Sequence, residues 1–356
     1  MKKCWLLAAA FGLIAAIVYV CSTANYVFPG ESAHLMAIWK GLEASANPPY
    51  PFMAVFAKAL GAGNALAPIC GVVAVVTFFH LVAAFVFWRV RGEDLTSRRN
   101  QISLVAAISA TAVFLLTPAV RSAATHLEPR MFDFAWTLLC FAVSLPFFKG
   151  SSRASLLFAP ILGVMVALGF CDSAIFLAFM PFYLALVVKM SVRHGRRPYL
   201  PVLVFGVVWA VAVFVAIRVL GVDFTQMLKS LAREMNGYRQ APGWIFVFFF
   251  ATIPFVVALF SSGKAFGERP ALVSWLFHGA MSFVVILAVA TPLSPSSLME
   301  PYGILPVATS AFAAAVAGYL VAFWWVNRDH VVGLIAGGIL SFVLAVTCIW
   351  NIFAFD

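Results

Sequence analysis

The chain has 356 residues, 64% of them hydrophobic and only 10% charged, with a mean hydropathy of +1.02 and a net charge of +10. That balance excludes a soluble globular domain. It leaves a polytopic all-α membrane protein, because a helix satisfies its backbone polar groups within a single apolar segment. The positive charge does not point to nucleic acid, since most Lys and Arg lie in short loops between apolar runs. There they mark topology and meet anionic lipid headgroups.

Taken in order, the apolar runs predict eleven transmembrane helices, at residues 4–23, 66–88, 102–120, 132–148, 156–171, 173–188, 200–220, 244–261, 271–291, 302–325 and 331–353. They form one transmembrane domain over residues 1–356, with no internal repeat and no water-soluble domain. Met1-Lys2-Lys3 before the first run has the form of a signal peptide. Ser22-Thr23-Ala24 is a poor cleavage site and further spans follow at once, so a retained first helix is expected. The fifth and sixth spans are short for a hydrocarbon core of roughly 30 Å. They meet at Gly169-Phe170-Cys171-Asp172-Ser173, which predicts a hairpin ending near the far interface. Cys4, Cys21, Cys70, Cys140, Cys171 and Cys348 show no CxxC spacing and read as small buried hydrophobes.

The bias of Lys and Arg places the N-terminus in the cytoplasm. Most acids, among them Glu31, Glu128, Asp133 and Asp172, then fall on the outer face. Both signs of charge converge there, and an outer-face cavity is expected.

Three outer stretches concentrate the chemistry. The first outer loop, residues 24–65, carries interfacial helices. Pro29-Gly30 is a turn, and Glu31 sits where a helix should begin. Ala33, Leu35, Met36, Ile38, Trp39 and Leu42 follow at helical spacing. Asn47-Pro48-Pro49-Tyr50-Pro51 ends that helix, and residues 52–60 start another. A carboxylate at a helix head beside a stiff proline corner has the form of a site. Equally, the dipole alone favours Glu at that position, and interfacial helices often only cap a bundle. His34 lies one turn beyond Glu31, so the pair could share a proton or a divalent cation.

The second stretch, residues 117–136, crowds Arg121, His126, Glu128, Arg130 and Asp133 into a short turn. It reads either as a substrate cavity or as a salt-bridge cluster closing a helix hairpin. The third, residues 218–243, is an amphipathic outer segment with Arg218, Lys229, Arg233 and Arg239. These residues either meet phosphate groups or decorate a solvated face. There is no Walker loop, HExxH, GxSxG elbow or GxGxxG after a strand.

With these residues assembled, the chain resembles membrane glycosyltransferases of the C superfamily. More narrowly, it is similar to a bacterial family of unassigned function related to protein O-mannosyltransferases. Gly30-Glu31 and Asn47-Pro48-Pro49-Tyr50-Pro51 match an acidic residue followed by a His-Pro-Pro-Gly-Tyr-Pro-like corner. Asn47 stands where the family has histidine, and the glycine before Tyr50 is missing. Thr117-Pro118 and Leu127-Glu128-Pro129-Arg130-Met131 match a Thr-Pro and an Ala-Glu-Val-Tyr-like run. The likeness covers residues 4–190, and beyond that only hydropathy matches.

The resemblance implies a glycosyltransferase-C-like fold and transfer of a sugar from a polyprenyl-phosphate-linked donor to an acceptor on the outer face. Glu31 would be the base or a cation ligand. Arg121, Arg130 and Arg239 would hold the donor phosphate, with His34, Asn47, Tyr50, His126, Glu128 and Asp133 lining the site. The implied setting is a bacterial inner membrane, with membrane lipids as neighbours. No cofactor beyond the candidate cation is implied, and neither sugar nor acceptor is specified. The competing readings are a non-catalytic paralogue and a lipid or solute transporter. A transporter would need ionisable residues deep in its spans, where His80 and His278 stand isolated.

Overall fold

The computed structural model describes residues 2–23, 31–40, 42, 50–60, 63–90, 98–145, 152–173, 176, 180, 183–184, 187–188, 199–225, 227–229, 231–232, 272–290 and 304–353. Among the described residues every regular element is an α-helix. In chain order these are α1 (Lys2–Ser22), α2 (Glu31–Trp39), α3 (Pro51–Ala59), α4 (Gly63–Arg89), α5 (Arg99–Leu116), α6 (Pro118–Thr125), α7 (Pro129–Ser144), α8 (Ser152–Phe170), α9 (Tyr199–Leu220), α10 (Leu272–Ala290), α11 (Leu305–Val326) and α12 (Val331–Phe353).

Seven of them, α1, α4, α5, α9, α10, α11 and α12, are long and apolar enough to cross a membrane. The chain is an integral membrane protein, all-helical among the described residues. Of the remaining expected spans, 132–148 and 156–171 correspond to α7 and α8. The 16 residues of α7 reach only about 24 Å at the usual helical rise. Spans 173–188 and 244–261 fall largely or wholly outside the described residues. The run at 102–120 is not one helix. It breaks at Thr117, whose φ of −68° and ψ of 131° are extended, because a residue before proline is pushed out of the helical region. Pro118 then opens α6, where its missing N–H costs nothing.

Two compact units are present, one of Met1–Ser22, Gly71–Thr125 and Ala241–Asp356, the other of Thr23–Cys70 and His126–Gln240. In the first, α11 is the central helix and packs on α5, α6, α10 and α12. Its small residues allow that. A Cβ built on Gly318 would collide with the Ala106 carbonyl oxygen and lie 2.7 Å from the Ala110 Cβ, so α5 and α11 approach backbone to backbone. Tyr19 of α1 donates to the Leu115 carbonyl at the end of α5 (3.3 Å), and Gly71 leaves room for its ring. A polar seam joins α10 to α11. The His278 ring meets the Tyr319 hydroxyl at 3.2 Å, and the Trp324 indole donates to the Ser282 hydroxyl at 2.9 Å.

In the second unit α8 packs on α9 and on α7. Gly163 lets the Phe205 carbonyl of α9 come close, and the Trp136 indole of α7 donates to the Met165 carbonyl at 2.8 Å. The large apolar side chains left exposed on α1, α9, α10 and α12 suit contact with lipid, where exposed Leu, Ile and Phe cost nothing.

Gly318→Ala should lower the unfolding midpoint of the detergent-solubilised protein, since overpacking of this kind costs about 1–3 kcal/mol. Gly279→Ala on α10, where an added Cβ meets nothing within 4 Å, should leave the midpoint unchanged or slightly higher. Equal effects at the two positions would show that α5 and α11 do not cross this closely.

Candidate functional site

The second unit holds the first-loop helices, and their geometry starts from one backbone conformation. Tyr50 precedes α3 with φ 51° and ψ 61°, the only non-glycine positive φ among the described residues. A left-handed conformation costs an L-residue about 1–2 kcal/mol, and Pro51 further disfavours helical angles at the residue before it. Such a conformation persists only where neighbouring structure holds it.

Beside Tyr50, the head of α3 meets Asp172, in the turn that follows α8. A helix leaves its first N–H groups without intrahelical partners. In α3 the first residue, Pro51, has none to leave, and the Ala54 N–H bonds to the Tyr50 carbonyl at 3.0 Å. Tyr50 offers no side-chain cap. The two remaining donors, the N–H groups of Phe52 and Met53, are accepted by the two carboxyl oxygens of Asp172 at 2.8 and 2.7 Å. Asp172 is therefore the cap of α3, supplied from about 120 residues further along the chain. Burial pushes its carboxyl above the usual carboxylate range, and the two amide hydrogen bonds favour the ionised form and pull in the opposite direction.

Aromatic rings seat the rest of α3. Phe52 packs on Trp136 and Phe132 of α7 at centroid distances of 4.8 and 5.4 Å, and Phe56 packs on Phe132 at 5.4 Å. Pairs of this kind contribute about 0.5–1.5 kcal/mol each beyond their burial. α2 packs in turn on α3, with Leu35 and Met36 buried. The apolar stripe ends sooner than its spacing implies: α2 stops at Trp39, and Leu42 is 80% exposed.

The expected site residues fall as follows. Glu31 opens α2, and His34 is exposed on that helix. Tyr50 is half-buried at the head of α3. Asn47 and Arg239 lie outside the described residues, as does half of the 218–243 segment. Glu128 stands at the N-cap position of α7 with no side-chain cap bond. Its carboxylate pairs instead with the Arg130 guanidinium at 3.0 Å, both side chains largely covered. Asp133 is buried one residue past Phe132, and His126 is half-buried before α7.

Arg121 belongs to the other unit. It is buried on α6 and donates to the Asn351 carbonyl in the last turn of α12 at 2.7 Å and to the Ser22 hydroxyl at the end of α1 at 3.4 Å. A guanidinium at helix C-termini satisfies orphan carbonyls and complements the dipole.

Asp172 is the residue that reading the sequence missed as part of this arrangement. The available signal was its place in a sharp turn, Gly169 to Ser173, between apolar runs that give a charge little reason to be there. Among the described residues no three His, Cys, Asp or Glu side chains gather as a metal-binding group. No protein-family model, curated protein or solved structure matches the chain.

Arg121→Ala should destabilise the protein by about 1.5–3 kcal/mol, the usual cost of losing hydrogen bonds made by a charged group. Denaturant or thermal unfolding in detergent reads it. An unchanged midpoint would show that the ends of α1 and α12 are held without the guanidinium.

Proposed function

We propose that the chain is a membrane glycosyltransferase that moves a sugar from a polyprenyl-phosphate-linked donor to an acceptor on the outer face of a bacterial inner membrane. The reading includes an N-terminus in the cytoplasm, about eleven spans and a glycosyltransferase-C-like bundle. What supports it best is the first-loop corner. Its backbone adopts a costly conformation at Tyr50, between a helix headed by Glu31 and a helix capped by a buried carboxylate. Strain held in this way is commonest where a chain must present groups in a fixed geometry.

In the proposed reaction the acceptor hydroxyl oxygen attacks the anomeric carbon of the donor. The bond from that carbon to the phosphate oxygen breaks, and polyprenyl phosphate leaves with the electron pair. Glu31 takes the proton of the attacking hydroxyl. Its position at the start of α2 favours the ionised form, which the reaction requires. Cationic side chains from the pair Arg130 and Arg239 stabilise the leaving phosphate. His34, Asn47, Tyr50, His126, Glu128 and Asp133 complete the proposed lining. No step is assigned to a divalent cation.

One observation favours the non-catalytic reading instead. Arg130 is paired with Glu128, and Arg121 is engaged at helix ends, so both have structural work independent of a donor. Activity decides between the two readings. Protein reconstituted in lipid nanodiscs and supplied with radiolabelled polyprenyl-phosphate sugars should transfer label. Glu31→Gln should fold normally, keep donor binding and lose roughly 10²–10⁴ in rate, the usual contribution of a general base. Wild-type rates in Glu31→Gln would remove Glu31 from the chemistry. A wild-type protein inert toward every lipid-linked sugar would favour the non-catalytic reading.

A further inference from the structure

The corner at Tyr50 cannot be explained from its own sequence. Two prolines precede Tyr50 and one follows it, and proline stiffness would favour an extended backbone there. The residue at the cap position contributes no side-chain acceptor. The geometry is set from outside, by both oxygens of one carboxylate on consecutive amides of the first turn of α3.

That arrangement constrains more than a single hydrogen bond would. Two parallel contacts from a planar carboxylate to adjacent N–H groups fix the direction of the helix axis as well as its position. The rings of Phe132 and Trp136 then fix the rotation of α3 about that axis, by taking Phe52 and Phe56 on one face. α2 rests on α3, and its first residue is Glu31.

We infer that Asp172 is the positioning residue of the first loop: through its paired hydrogen bonds to Phe52 and Met53 it fixes α3, and through α3 it fixes the helix that begins at Glu31. Its consequence for catalysis rests on the transferase reading, while the clamp itself does not. Asp172 touches no reacting atom in this account. It acts by holding the corner, as a misplacement of even 1 Å can cost about 10²-fold in rate.

The test uses the full chain in lipid nanodiscs and two readouts. The first is hydrogen–deuterium exchange of peptides covering residues 31–40 and 50–60, with α11 as an internal reference. Asp172→Asn keeps the size but turns one acceptor into a donor facing an N–H group. It should raise exchange in both peptides by about ten- to a hundredfold and leave α11 unchanged. Asp172→Glu retains two acceptor oxygens and should restore most of the protection, which a general loss of packing would not do. Wild-type protection of residues 50–60 in Asp172→Asn would overturn the clamp. Loss confined to residues 50–60, with 31–40 unaffected, would overturn its transmission to α2.

The second readout is transfer kinetics. Asp172→Asn should lower kcat by about 10²-fold while the donor KM stays within about threefold, with partial recovery in Asp172→Glu. Lost protection with an unchanged kcat would overturn the positioning role. A wild-type protein without transfer activity would remove the transferase reading alone; the exchange of residues 50–60 would still decide the clamp, and that of residues 31–40 its transmission to α2. If Asp172→Asn does not accumulate, Asp172→Glu carries the comparison, and full protection with full kcat in that longer variant would count against a tightly defined clamp.

Discussion

A helix that ends in an apolar environment must find partners for its orphan N–H and C=O groups, and in this chain two buried charges provide them. Asp172 accepts from the first-turn amides of α3, and Arg121 donates to a last-turn carbonyl of α12 and to the end of α1. The signs follow the helix dipole, carboxylate at an N-terminus and guanidinium at a C-terminus. In a chain with so few charges, each one placed inside must be matched by hydrogen bonds, or its desolvation would not be offset. Hydroxyl groups do the lesser version of the same work. Thr117, Thr125, Thr137 and Ser282 each bond a carbonyl one turn back on their own chain.

This requirement changes how the charged turn before α7 is understood. Its crowding of ionisable residues invites a single functional cluster. The division between the units falls within it, after Thr125. Arg121 serves the ends of α1 and α12, while Glu128 and Arg130 answer each other at the head of α7. The proposed donor contacts therefore compete with partners that these side chains already have, which is why activity and stability must be measured on the same variants. The first loop has no such ambiguity, because its unusual backbone at Tyr50 has a specific support and a specific cost.

Much of the helical architecture was legible in the sequence because hydropathy over 18 to 25 residues is a strong signal. Runs such as 200–220 and 331–353 recur as α9 and α12 nearly residue for residue. The proline rules also carried weight. Pro51 opens α3, and Thr117-Pro118 marks a break, although hydropathy smoothed over it and suggested one span from 102 to 120. Position 31 was readable as a helix start because the Pro29-Gly30 sequence signal, which lies outside the described residues, and the carboxylate at 31 point the same way. What could not be read was any pairing set by the tertiary fold. Nothing local links Asp172 to Phe52, or Arg121 to Asn351, since those contacts join residues more than a hundred positions apart. The end of α2 was missed for a related reason: Leu42 keeps the apolar spacing, but burial of the helix stops before it.

The central claim is that one carboxylate fixes the first loop, and its direct test is a distance. With nitrogen-15 in Phe and Met and carbon-13 in the Asp side chain, dipolar recoupling in lipid bilayers measures the approach of each amide nitrogen to the carboxyl carbon. Strong coupling is expected from both Phe52 and Met53 to Asp172, in keeping with nitrogen–oxygen contacts of 2.8 and 2.7 Å, and it should disappear in Asp172→Ala. Absence of coupling at both amides in the wild-type protein would contradict it.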